Sequence, residues 1–313
     1  MKARLFIGIV AVALVWTGCS NDENGSGADA RVPVEFTASV GVTETRAIDQ
    51  TWSSGDAIGI FMVESDKPLQ KANISEGAEN IRYKVAAADK TGKFSPDETT
   101  IYFPMDNSKV DFYAYYPQGT VSYDSEKNSY LYAINVSEQG DETKSNQENL
   151  DLMYAEKVEG KRKTDKSISL DFKHQLCKVI LTVEAGAGVS VPDMKLLTVT
   201  VKNQKTTAFF DLTTGALKND AAAPADITLY RQNNAYVYEA ILLPDDGTSR
   251  TFEFDLNNEH DAPFIWNMEK ALVAGSKYTY TVNLNRMGVV ATGDIVPWDN
   301  GNGGSDKNEV DAK

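Results

Sequence analysis

Two histidines and two cysteines are the chain's whole supply of the residues that most often bind metals or work as nucleophile and base. His174 follows the strand-like run LDFK, and His260 sits in the polar stretch NNEHDAP. Neither stands at a ligand spacing from the other or from Cys177, so no Cys/His zinc site is spelled out. A serine nucleophile would need one of these histidines as its base and an elbow of the G-x-S-x-G kind, which does not occur. The glycines of GDAIGIF bracket a strand, with no helix behind them to cradle a phosphate. Carboxylates are plentiful, with 45 Asp and Glu, so counting does not exclude a glycosidase-type pair, but no pair stands out. Asp245–Gly247 lacks the further spaced oxygens of a calcium loop and is expected to be a turn. Cys177, inside CKVILTV, is expected to be a small buried hydrophobe. No enzyme activity, cofactor or metal is therefore expected. The aromatic run FYAYYP at Phe112–Pro117 leaves two readings open, a strand buried between two layers or a face that stacks on sugars.

The remaining chemistry lies near the N-terminus. Lys2 and Arg4 precede an apolar run from Leu5 to Val15 that is short for a bilayer span, so residues 1–18 are expected to be a secretory signal. The run ends in WTGCS, which resembles the lipobox of bacterial lipoproteins. That likeness makes Cys19 the lipidated first residue of the mature chain, with palmitate-type acyl chains holding it in the outer membrane. Residues 19–31 are polar, acidic and glycine-containing, as expected of a flexible tether. Asp22 and Glu23 behind the cysteine resemble a surface-export signal. With Cys19 committed to lipid, Cys177 has no partner, and the fold must be held by its core without a disulfide. The formal net charge of −14 offers no basic footprint for nucleic acid or anionic lipid.

The elements behind these residues have a period close to two almost throughout. VDFYAYYP at Val110–Pro117, LLTVTVK at Leu196–Lys202, TFEFDL at Thr251–Leu256 and KYTYTVNL at Lys277–Leu284 are rich in Tyr, Thr, Val and Phe, which suit a pleated, half-buried surface. Turns such as SSGD, DKTGK and LTTGAL separate them, and FFDLTTGALK predicts a strand entering a tight turn at Thr214-Gly215. Only WNMEKALVAG at Trp266–Gly275 offers a short turn of helix. Many short strands at roughly ten-residue spacing predict an all-β chain of antiparallel β-sandwiches. The charged stretch EGKRKTDKS at Glu159–Ser167 predicts a domain break near residue 163, giving an N-terminal domain over 32–163 and a C-terminal one over 164–298. Residues 299–313 are glycine-rich and charged, as expected of a disordered tail.

VPVEFTASV at Val32–Val40 alternates strictly. Val32, Val34, Phe36, Ala38 and Val40 share one face, expected to be buried, and Pro33, Glu35, Thr37 and Ser39 the other. A threonine-rich loop with Arg46 and Ala47 follows, and then Trp52.

In order along the chain, the lipobox, the TRA triplet ending at Ala47, W-x-x-G-D-x-I-G-I-F at Trp52–Phe61 and DFYAYYP at Asp111–Pro117 resemble the fimbrillin family of Bacteroidales, the type V pilins. LDFKHQLCKVILTV at Leu170–Val183, AGSKYTYTVNL at Ala274–Leu284 and IVPW at Ile295–Trp298 extend the resemblance over essentially the whole mature chain. It implies two tandem transthyretin-like sandwiches, and export as a surface lipoprotein. It also implies cleavage by an arginine-specific protease between Arg46 and Ala47, which frees the first strand. A neighbouring pilin subunit then fills the emptied groove by β-strand addition. MGVVATGDIVPW at Met287–Trp298 is a candidate strand to lend, but the polar tail after it does not suit a stalk pilin. A tip, accessory or anchor role stays open, and so does the alternative of a glycan-binding surface lipoprotein that never polymerises. No host ligand is named by the residues.

Overall fold

The structure, a computed structural model, describes residues 31–41, 52–85, 92–141, 144–219, 223–232, 235–245, 247, 249–258, 261–298 and 308–310. Cys19, Arg46, Ala47, His260, the signal, all but the last residue of the tether and most of the tail lie outside these residues. The first half carries β1 (Glu35–Val40), β2 (Ala57–Glu64), β3 (Ile81–Lys84), β4 (Lys93–Pro96), β5 (Val110–Tyr116), β6 (Val121–Asp124) and β7 (Ser129–Asn135). A small ribbon of β8 (Gly140–Asp141) and β9 (Lys144–Ser145) and one helical turn, α1 (Gln147–Leu150), lead to β10 (Met153–Lys161) and β11 (Ser167–His174). The second half carries β12 (Cys177–Ala185), β13 (Thr198–Gln204), β14 (Thr207–Asp211), β15 (Ala216–Asn219), β16 (Ala225–Thr228) and β17 (Tyr230–Arg231). It continues with β18 (Val237–Leu242), β19 (Arg250–Asp255), β20 (Phe264–Met268), β21 (Ser276–Asn285), β22 (Gly288–Pro297) and β23 (Asn308–Val310). The described residues are nearly all β, as the period-two patterning predicts, although Trp266–Met268 ends a strand where a helical turn was expected.

Seven strands close into a barrel in the order β1-β11-β10-β5-β2-β3-β4. Its inside is filled by residues two apart on each strand, such as Ile58, Ile60 and Met62, or Ile168, Leu170 and Phe172. The strands of the first expected sandwich thus close on themselves through β1. The expected antiparallel order fails at two places: β1 runs parallel to β11, and β12 runs parallel to β21. The break expected near residue 163 falls inside the barrel. Residues 162–166 turn between β10 and β11, which pair with each other from Met153↔His174 to Ala155↔Phe172. A charged hairpin turn and a charged linker have the same composition, and only pairing separates them. β11 therefore belongs to the first body, and the crossing to the second comes at Gln175–Leu176, just before β12.

The second body faces a six-stranded sheet, β17-β18-β12-β21-β22-β23, with a four-stranded one, β16-β13-β19-β20. Their inner faces share a core in which Trp266 of β20 meets Tyr280 of β21 edge-on at 4.8 Å. In the tail expected to be disordered, Asn308–Val310 pair with β22 as its outer neighbour.

Each body lends a hairpin to one further sheet, β15-β14-β7-β6. The turn predicted at Thr214-Gly215 joins β14 to β15, and β14 pairs with β7 from the other half of the chain. This sheet lies on the outside of the barrel, with Phe61 and Tyr130 rings 4.9 Å apart and Tyr154 and Phe210 rings 5.2 Å apart. A buried carboxylate ties the seam. Asp211 accepts hydrogen bonds from Ser129 Oγ at 3.0 Å and from Thr213 N at 2.9 Å, and pairs with the Lys218 ammonium. Burial alone would raise its pKa, but Lys218, Ser129 and the Thr213 amide outweigh that and hold the carboxyl below its ordinary value of 3.8. A depressed native value gives stability that is whole above pH 3.8 and is lost as pH falls below it. Urea midpoints measured between pH 6 and pH 2 should therefore fall less steeply in Asp211→Asn than in the parent chain, over the acid end of that range.

Candidate functional site: the strand that closes the barrel

β1 forms because its residues alternate and their apolar face has a barrel to enter. Val34 and Ala38 are each 3% exposed and Phe36 is fully buried, whereas Glu35 and Ser39 face solvent. Val32 and Val40, at the two ends of the same face, are half-buried against the barrel core. One edge of β1 runs along β11 in parallel register, from Glu35↔Ser167 to Val40↔Phe172. The other edge meets β4 over two residues only, Phe36↔Phe94 and Thr37↔Lys93. Loop backbone completes that side: Val34 N donates to Ile101 O at 2.9 Å, Phe103 N to Val32 O at 3.0 Å, and Ala38 N to Gly92 O at 2.9 Å. β11 and β4 reach each other only through β1 in the strand order, so β1 is the seam of the barrel.

Three side chains fix the strand from inside. Phe36 meets Tyr83 edge-on at 5.0 Å and Phe112 edge-on at 5.4 Å. Trp52, the first residue of the W-x-x-G-D run, is buried with its ring edge-on to Phe94, Tyr116 and Phe172. Its Nε1 donates to Ala38 O at 3.0 Å. Gly92 stands against the same carbonyl, at φ +57°, where a Cβ would lie 2.0 Å from Ala38 O. The aspartate of the run, Asp56, accepts from Ser53 N at 2.6 Å and from the Tyr116 hydroxyl at 3.1 Å. Burial first, and Asp56 second, push the Tyr116 phenol far above the ordinary tyrosine value, so it stays a neutral donor.

The five apolar residues of the first strand are thus brought together on the barrel interior and its rim. Arg46 and Ala47, the residues of the cleavage expectation, and Cys19, the lipidation residue, lie outside the described residues. Trp52 and Gly92 were not marked by the sequence as partners of β1. The only trace was a tryptophan opening a glycine turn shortly after the strand.

Of the groups that could have done chemistry, Cys177 and His174 lie among the described residues, and both are engaged. Burial pushes the Cys177 thiol up to about 12, and its Sγ lies 3.0 Å from Val273 O, so it packs as a small hydrophobe. His174 Nδ1 lies 2.7 Å from Asp151 Oδ1, and its ring stacks on Trp298 at 4.0 Å. The aromatics of FYAYYP are all buried, Phe112 and Tyr115 completely, which settles the core reading for that strand over a sugar-stacking face. Among the described residues no group of three His, Cys, Asp or Glu could hold a metal ion. The strand suggested for lending is engaged too. β22 pairs with β21 along ten residues, and Val289 and Ala291 are buried in the second body.

Strands make up nearly all of the described fold, and the first of them is the seam of a barrel. The chain belongs to the fimbrillin-like family, whose profile matches residues 45–298. A Bacteroides uniformis protein named as fimbrium subunit Fim1C is 34% identical over 318 residues, covering 98% of each chain. The crystal structure of a Bacteroides uniformis protein described as a cell adhesion protein superposes with a TM-score of 0.70 at 33% identity, over 87% of this chain and 99% of that one. Another so described, from Bacteroides ovatus, shares the fold, with a TM-score of 0.65 at 24% identity over 86% of this chain and 98% of the other.

Proposed function

We propose that the chain is a cell-surface fimbrial subunit that assembles by exchanging β1. Lipid on Cys19 first holds it at the outer membrane. An arginine-specific protease then cuts between Arg46 and Ala47, and a strand of another subunit takes the place of β1. One observation carries this reading: β1 alone joins β11 to β4, so its loss opens the barrel along a ready-made groove. The opened groove would expose Tyr83, Phe94 and Phe112 and leave the edge of β11 unpaired. Each large side chain returned to such a core is worth roughly 1.5–3 kcal/mol, and the strand edge demands a partner as well. The family match starting at residue 45, after β1 and one residue before Arg46, supports treating β1 as separable. The full engagement of β22 supports an end position, as tip, accessory or anchor, because lending it would dismantle the second body. The transthyretin-like description of that two-sheet body belongs to the same proposal.

Protein recovered from the cell surface should begin at Ala47, and Arg46→Ala should keep its β1 and lipid and stay out of high-mass assemblies on denaturant-free gels. Assembly of Arg46→Ala at the parent level would reduce Arg46 to an ordinary loop residue.

A further inference from the structure

We propose that the groove behind β1 selects its strand by register, taking a large aromatic side chain at the Phe36 position and only a small one two residues later, at the Ala38 position. This rests on the exchange proposed above and adds which strand can enter. At the first position the groove is an aromatic socket, with Tyr83 and Phe112 meeting the Phe36 ring edge-on at 5.0 and 5.4 Å. At the second position the walls close in. Trp52 and Gly92 stand against the Ala38 backbone, one donating to its carbonyl at 3.0 Å and the other accepting from its amide at 2.9 Å. Ala38 is 3% exposed with a single methyl, so a large side chain at its position must displace its neighbours in the barrel interior.

Trp52 makes the reading register-sensitive. Its indole N–H is buried and needs a carbonyl at the Ala38 position. A strand shifted by one residue turns that carbonyl away and sends its apolar side chains outward. Trp52 lies on the C-terminal side of Arg46, so it stays with the barrel when β1 departs. The barrel uses the same spacing once more: Val110, Phe112 and Ala114 of β5 repeat the order of Val34, Phe36 and Ala38, and all three are buried. Small beside large is how the interior of a narrow barrel fills. β22 does not carry the order, since its inward Val289 and Ala291 come with no aromatic residue. The partner is therefore an extended segment of another chain that reads aliphatic, any, aromatic, any, small.

The test uses the full chain cut after Arg46, with a fluorescent nonapeptide of residues 32–40 displacing β1, followed by anisotropy. A second peptide carries Phe36→Ala together with Ala38→Phe, so composition and alternation are unchanged. The parent peptide should enter, an Ala38→Ser peptide should bind within a few-fold of it, and the exchanged peptide should bind about a hundredfold more weakly or worse. Equal binding of the parent and exchanged peptides overturns the register rule and leaves strand exchange standing. Failure of the parent peptide to enter overturns the exchange reading and this rule with it. The uncut chain gives an independent measurement. Phe36→Ala with Ala38→Phe built into it should lose most of the barrel's protection from proteolysis, and full protection would overturn the rule.

Discussion

Replacing Phe36 by alanine should lower the unfolding free energy by about 3–5 kcal/mol, the range for emptying an aromatic site in a packed core. The ring is fully buried and edge-on to two others, so its loss forfeits area, dispersion and ring geometry together. The cavity has little means of closing. Tyr83 is held by its hydroxyl, which accepts from Ile101 N at 2.9 Å, and Phe112 sits in the middle of β5, paired on both sides. Equilibrium urea unfolding, compared with Ser39→Ala on the solvent face of the same strand, provides the check. Ser39→Ala should change stability by no more than about 0.5 kcal/mol. A loss below about 1 kcal/mol for Phe36→Ala would mean that the barrel does not depend on β1, and the cost assigned to an empty groove would fall with it.

The alternation of Val32–Val40 announced a half-buried strand in its residues, because side-chain direction in a strand is a local property. Where that strand goes was not local. Its parallel partner β11 lies about 130 residues away, and nothing in SISLDFKH at Ser167–His174 names β1 as a neighbour. The same holds for β14, legible as a strand and a turn but not as the partner of β7. The break expected near residue 163 lies in a turn between paired strands for a related reason. Lys161, Arg162, Lys163 and Asp165 are what a solvated turn and a solvated linker both need, and the pairing of β10 with β11 decides between them. Inert chemistry was easier to read: Cys177 sits in an alternating apolar run and is buried, as that run predicts. Trp52 and Gly92 stayed hidden because their work is done on a carbonyl, which carries no residue-type signal.

Gly92→Ala should loosen β1 selectively, and comparison with a second glycine shows why. Gly55 has φ +93° and open space where a Cβ would go, so an alanine there suffers only the left-handed backbone, about 1–2 kcal/mol. Gly92, at φ +57°, carries the same kind of strain, and its Cβ would also lie 2.0 Å from the backbone oxygen of Ala38 and 2.7 Å from the Trp52 ring. Backbone cannot swing aside as a side-chain tip can, and Trp52 is wedged by three aromatic neighbours. The element free to move is β1, which has only two residue pairs with β4 on that side. Gly92→Ala should therefore cost clearly more than Gly55→Ala in urea unfolding. By hydrogen exchange the Ala38 amide, which donates to Gly92 O, should lose protection, while amides between β5 and β10 keep theirs. If Gly92→Ala and Gly55→Ala cost the same and the Ala38 amide stays protected, the close approach does not restrain the strand. If β1 loosens as expected, the glycine that lets the first strand seat so tightly also sets how readily it can leave.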